Sequence, residues 1–150
     1  MKNRIPPPLI ALSLAALMWL VADYWPASVV QLQWQWVLAM ELALAGIVVD
    51  LVALAHFRKS QTTINPLQPH KASSLVTEGV FQWSRNPMYV GMLLILTGWG
   101  VWLGSVVNVV WLVVFVVVIN EWQIKPEEKA LETLFGEEFR AYCRQVRRWI

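Results

Sequence analysis

The chain has 150 residues, a net charge of only +2 and a single cysteine. Its residues are 57% hydrophobic and 15% charged, against roughly 25% charged in a water-soluble domain, and the mean hydropathy is +0.49. That excludes an ordinary soluble globule, a basic nucleic-acid-binding domain and an internal disulfide. One domain is expected, over residues 1–150.

Four apolar stretches follow one another. The first, approximately residues 6–24, is preceded by Lys2 and Arg4 and opened by three prolines. A basic start and an apolar core also fit a secretory leader; we read the stretch as a retained span. Tyr24, Trp25, Trp34 and Trp36 surround the connection to the second stretch, as aromatic side chains do at a membrane interface. The second span, 36–57, carries Glu41 and Asp50, ionisable groups that are costly in a bilayer and usually functional there. Nine residues apart, they point to opposite sides of a helix. Glu41 therefore reads as structural, and Asp50 stands evenly between structure and function.

A polar segment, 58–87, comes next. It is rich in Pro, Ser and Thr and reads as irregular, with Gly79 ending the loop. The third span, 88–103, is short against the usual requirement of about 20 residues. It opens on the stretch "WSRNPMYVG", which puts Arg85, Asn86 and Pro87 at the mouth of an apolar run. Gly104 and Ser105 separate it from the fourth span, 106–122, so the two form a helical hairpin. All twelve Lys and Arg fall in three places: before span one, between spans two and three, and in the tail after span four. Four spans put these on one side, and the positive-inside rule makes it cytoplasmic. An integral protein of a bacterial inner membrane, with both termini cytoplasmic, is expected.

The tail, 123–150, is a helix signal. Pro126 suits a first helical position, and Glu127 and Glu128 suit the positive end of the dipole. Leu131, Leu134, Phe135, Phe139, Tyr142 and Val146 recur at helical spacing. Gly136 is expected to break or bend the helix. A helix lying on anionic lipid, attracted by Arg140, Arg144, Arg147 and Arg148, accounts for the last ten residues but not for the paired glutamates. The fold class is thus all-α integral membrane: four transmembrane helices, spans three and four as a hairpin, and a cytoplasmic amphipathic C-terminal helix.

The hairpin gathers the chemistry. It brings Arg85, Asn86 and Tyr89 close to Asn120, Gln123, Glu127 and Glu128 at the inner boundary. A cluster with both charge signs suits a zwitterionic cofactor meeting an apolar acceptor that arrives through the bilayer. His56 and His70 read as loop histidines, Cys143 as packing and Asn108 as helix-packing glue. With two histidines and one distant cysteine, no metal is expected.

"LVTEGVFQWSRNPMYVG" followed by "PEEKALETLFGEEFRAYCRQV" resembles the isoprenylcysteine carboxyl methyltransferase family and its phospholipid methyltransferase relatives, over residues 62–147. The resemblance implies a membrane enzyme that uses S-adenosyl-L-methionine. It implies cofactor contacts at Ser73, Ser74, Leu75, Val76, Phe81, Asn86, Pro87, Met88, Tyr89, Glu127 and Glu128. Arg85, Asn120 and Gln123 are the candidates for positioning the acceptor. Carboxyl methyltransferases of this family have an arginine where this chain has Gln123, which can hydrogen-bond a carboxylate but brings no charge. Asn86 replaces the commoner histidine of the R-H-P-x-Y pattern. Gly98 and Gly100 resemble the G-x-G of the phospholipid enzymes, a pattern that close helix packing explains equally well.

The expected function is methyl transfer to a lipid-like or small hydrophobic acceptor, in the first place carboxyl O-methylation of an isoprenylcysteine-like substrate, with phospholipid or amine N-methylation as the alternative. From other classes, a small four-span transporter would use Glu41 or Asp50 as its coupling carboxylate, and a non-catalytic scaffold would bind no cofactor. The expected partners are the acceptor and membrane lipids, with no nucleic acid and no metal.

Overall fold

Proline and glycine set the ends of the helices. The computed structural model describes residues 5–26, 29–30, 32–59 and 74–150; Ser73, His70 and the basic residues Lys2, Arg4 and Lys71 lie outside them. Helix α1, Pro7–Tyr24, starts on proline, where the missing N–H costs nothing. Helix α2 is Gln35–Lys59 and helix α3 is Pro87–Leu103, again opened by proline. Within α1 and α3 the hydroxyls of Ser13 and Thr97 bond back to the carbonyls of Leu9 and Leu93, at 2.8 and 2.7 Å. Each thereby hides its polarity inside an apolar run.

Gly104 ends α3 in the left-handed conformation, φ 70°, and a Cβ there would come within 2.6 Å of the Val30 carbonyl. The Val30 amide donates to the Gly104 carbonyl at 2.9 Å. The hairpin turn is therefore pinned to the connection between the first two helices. Helix α4 begins at Asn108 rather than 106.

The end of α4 differs from expectation. Instead of stopping near Trp122 and restarting at Pro126, α4 (Asn108–Ile119) passes through a π-helical turn, Asn120–Ile124, directly into α5, Lys125–Phe135. Pro126 cannot donate to the previous turn and its ring would crowd an ordinary α-helical carbonyl. A turn one residue wider absorbs it and the helix continues. Gly136, φ 53°, breaks the path, and α6, Glu137–Gln145, follows.

Three of these helical runs are long and apolar enough to cross a membrane: Pro7–Tyr24, Gln35–Lys59 and Asn108–Phe135. The fourth, α3, is apolar but has 17 residues. Among the described residues there is no strand, only an isolated bridge between Val29 and Ser105.

The core has three parts. Ile10, Leu14 and Met18 of α1 meet Tyr89 and Leu96 of α3 and Phe115 and Ile119 of α4. Ala53 of α2 meets Val76, Phe81 and Met88. Phe139, Tyr142 and Val146 close on Leu75, Leu131 and Phe135. The apolar side of α6 is thus covered by the protein itself. Between α2 and α3 the backbones touch: a Cβ on Gly46 would lie 2.5 Å from the Gly91 carbonyl, and one on Gly98 would lie 2.7 Å from the Ala39 carbonyl. Gly98 is thereby explained by close packing, and Gly100 likewise, since a Cβ there would lie 2.8 Å from the Met18 methyl.

Candidate active site

The site is built where α3 begins and α5 begins. Pro87 fixes the first turn of α3, which aims Tyr89 inward, 6% exposed. Its hydroxyl donates to Glu127 Oε1 at 2.7 Å. The next glutamate, Glu128, accepts from Arg85 Nη2 at 2.8 Å and from Arg148 Nε and Nη2 at 3.0 and 2.6 Å. Side-chain exposures of 12% for Arg85 and 19% for Glu128 make this a semi-buried ion triad rather than a surface pair. Arg85 also donates from Nη1 to the Cys143 carbonyl at 3.1 Å. Its Nε is sealed and has no partner among the described residues.

The C-terminal segment straps this motif down. The Arg147 carbonyl accepts the Arg85 amide at 3.0 Å. The Arg148 carbonyl accepts the Asn86 side chain at 2.9 Å and the Ser84 hydroxyl at 3.4 Å. Ser84 Oγ in turn accepts the Asn86 amide at 3.1 Å. Deeper in, Tyr142 donates to the Phe81 carbonyl at 2.6 Å; burial pushes its phenol well above the ordinary value. Burial also raises the Cys143 thiol, which leaves it a poor nucleophile.

The expected residues are therefore partly gathered and partly dispersed. Arg85 with Glu128 and Tyr89 with Glu127 meet as the hairpin requires. Val76, Phe81 and Met88 share one apolar cluster, and Leu75 belongs to the cluster under α6. Asn86 is spent on the tail. Asn120 accepts from the Trp149 indole at 3.1 Å. Gln123, 1% exposed, donates to the Ile5 carbonyl at 2.7 Å. Neither Asn120 nor Gln123 turns toward Arg85.

Sequence reasoning missed Ser84, Tyr142 and above all Arg148. Arg148, a candidate to face lipid, turns inward instead and bonds to both oxygens of Glu128. Arg140 and Arg144 pair with Glu132 and Glu137 on the exposed side of α5 and α6. Those contacts hold the Glu137 carboxyl below its usual range. Between the two helices runs a cleft of about 390 Å³, lined by Arg85, Lys125, Lys129 and Arg140 alongside Glu128 and Glu132. Among the described residues no group of His, Cys, Asp and Glu has the makings of a metal site.

With this geometry in place, similarity to known proteins is informative. The phospholipid methyltransferase family model matches residues 34–138. The chain belongs to the phospholipid methyltransferase family. The match reaches back through α2, further than the two motifs that drew attention in the sequence. An uncharacterized protein of Haemophilus influenzae is 46% identical over 63 residues, which cover 42% of this chain and all of that protein. Among solved structures, the eukaryotic intramembrane Ras methyltransferase ICMT, isoprenylcysteine carboxyl methyltransferase, superposes with a TM-score of 0.76 at 24% identity. The superposition covers the whole of this chain and 54% of that one, so the fold is shared while this chain spans about half the length. A member of the phospholipid methyltransferase family with an ICMT-like helical fold is the result.

Proposed function

We propose that the protein is an S-adenosyl-L-methionine-dependent methyltransferase that modifies a lipid-like amine at the inner boundary of the membrane. The observation that carries the reading is the convergence of Tyr89–Glu127 and Arg85–Glu128 at the foot of the α3–α4 hairpin, in a chain of methyltransferase family. Four crossings with Arg58, Lys59, Arg85 and the tail on the cytoplasmic side put this cluster where a cytosolic cofactor is available.

The residues fit the cofactor. Glu127 offers a carboxylate, oriented by Tyr89, for an amino group. Arg85 and Arg148 together outweigh the single charge of Glu128, which leaves positive charge for a carboxylate. The cleft nearby carries both charge signs, matching a zwitterion. Val76, Phe81 and Met88 supply an apolar wall. When bound, the cofactor supplies a methyl group already activated on a sulfonium. The protein's part is alignment, exclusion of water and a seat for the acceptor. Arg148 and the strap it belongs to hold Arg85 and Asn86 rigid, and the raised phenol of Tyr142 stays protonated as a donor.

Two acceptor chemistries follow from the resemblance: carboxyl O-methylation and amine N-methylation. The position that would hold a substrate carboxylate is Gln123, and its amide is committed to Ile5. Arg85 is committed to Glu128, and Lys125 to Glu121. With no charge at the Gln123 position and Arg85 assigned to the cofactor carboxylate, the amine is favoured. Calorimetric titration of the purified protein with S-adenosylmethionine and S-adenosylhomocysteine tests the cofactor: binding is expected, and Glu127→Ala should abolish it. Absence of binding in both detergent and nanodiscs would refute the methyltransferase.

A further inference from the structure

Asp50 is the one acidic side chain in the α2–α3 seam, and the methyl-transfer residues described above make no use of it. Its Oδ1 is sealed from solvent and has no hydrogen-bond partner among the described residues. The carboxyl fits only because residue 91 is glycine: a Cβ there would lie 2.0 Å from Asp50 Oδ1. Gly91 closes the same nine-residue stretch that holds Arg85, Asn86 and Tyr89, so one motif furnishes the polar cluster and clears room for this carboxylate.

Among the described residues its surroundings offer no counter-charge. Helix α3 has no Lys, Arg, His, Asp or Glu, and its one titratable side chain, Tyr89, is bonded to Glu127. The turn Gly79–Gln82 against α2 has no titratable side chain either, and Glu78 precedes it. On α2 itself, Glu41 is on the opposite side and exposed. His56 lies nearly two turns on, with Nδ1 bonded to the Val52 carbonyl at 2.8 Å. A carboxylate in a membrane seam with an orphaned oxygen is expensive to keep. Asp50 as a whole is only half-buried, so a ligand can reach it. Ala53, one turn along α2 toward the cytoplasm, is walled by Val76, Phe81 and Met88. Asp50 therefore sits just beyond that wall on the bilayer side.

We propose that Asp50 is the acceptor-binding residue, its carboxylate seating the protonated nitrogen of an amine acceptor that enters from the bilayer between α2 and α3. This rests on the methyltransferase reading. The same carboxylate then takes the proton: an N–H bond breaks, an O–H bond forms on Asp50, and the nitrogen keeps the electron pair it needs as a nucleophile. An ammonium and a carboxylate become a neutral amine and a carboxylic acid, so no net charge is moved into the bilayer.

The test uses two short-chain phospholipids that differ only in the headgroup terminus, dihexanoyl phosphatidylethanolamine and dihexanoyl phosphatidylethanol. Each is titrated calorimetrically into the full chain in detergent, without cofactor. The wild type should prefer the ammonium probe by about ten-fold or more. Asp50→Asn should erase the preference, and Asp50→Glu should retain part of it. In a labelled-methyl assay Asp50→Asn should lower turnover on the amine by about a hundred-fold or more, with S-adenosylmethionine affinity unchanged. Equal affinity of the wild type for the two probes, or a preference that survives Asp50→Asn, overturns the proposal. Cofactor binding by the same preparations is scored separately, so loss of the methyltransferase reading and loss of the Asp50 assignment give different results.

Discussion

Helix α3 is held on its two sides by different physics. Toward α2 the contact is nearly bare backbone, Gly46 on Gly91 and Gly98 on Ala39 and Ala43. Lipid is as apolar as leucine, so helices in a bilayer gain from close fit rather than from leaving water. Toward α5 and the tail the contact is made of ions and carbonyls: Arg85 and Arg148 on Glu128, Tyr89 on Glu127, Asn86 on the Arg148 carbonyl. The first side fixes position by steric exclusion and the second by charge.

Breaking the polar side should have the largest effect. Glu128→Ala leaves two guanidinium groups partly buried without their shared acceptor. Allowing for their partial exposure, a loss of about 3 kcal/mol is expected in thermal unfolding in detergent. On the apolar side, Gly46→Ala drives a methyl into the Gly91 carbonyl and Ile95, and should cost about 2 kcal/mol. Because the two lesions lie on opposite sides of α3, the double variant should be additive to within about 0.5 kcal/mol; strong coupling would show that the two walls are one cooperative unit. Tyr89→Phe removes one hydrogen bond to a carboxylate, about 1.5 kcal/mol, and should weaken cofactor binding more than it lowers stability.

The smallest effect belongs to the exposed network on α6. Glu137 has its pKa lowered from an ordinary 4.5, mainly by hydrogen bonds from Arg144 and Arg140. The sign follows: its contribution is complete above pH 4.5 and disappears as pH falls through the lowered value. Glu137→Gln should therefore lower the neutral-pH melting temperature slightly and leave stability below the lowered value unchanged, which flattens the acid limb of the curve.

What was legible in the sequence was what a single helix or turn decides alone. The apolar runs, the start at Pro87 and the break at Gly136 each follow from local chemistry. The meeting of Arg85 with Glu128 followed from one further inference, the hairpin. What could not be read depends on which face each helix turns to its neighbours. Gln123 reaches a carbonyl 118 positions away, and no local pattern announces that. Arg148 looked like one more basic residue of a lipid-facing tail, since its partner is fixed only once α6 folds back over α5. Asp50 was visible as a costly residue, but the glycine that makes room for it is 41 positions away on another helix.

The π-helical turn at Asn120–Ile124 sets the angular indexing of everything after it. Wound as ordinary α-helix, the same residues would rotate α5 by about 100° about its axis. Glu127 would leave Tyr89, Glu128 would leave Arg85, and the helix would lose nothing in length or hydropathy that matters for crossing the membrane. The winding between span and glutamates is therefore as much a part of the site as the glutamates themselves.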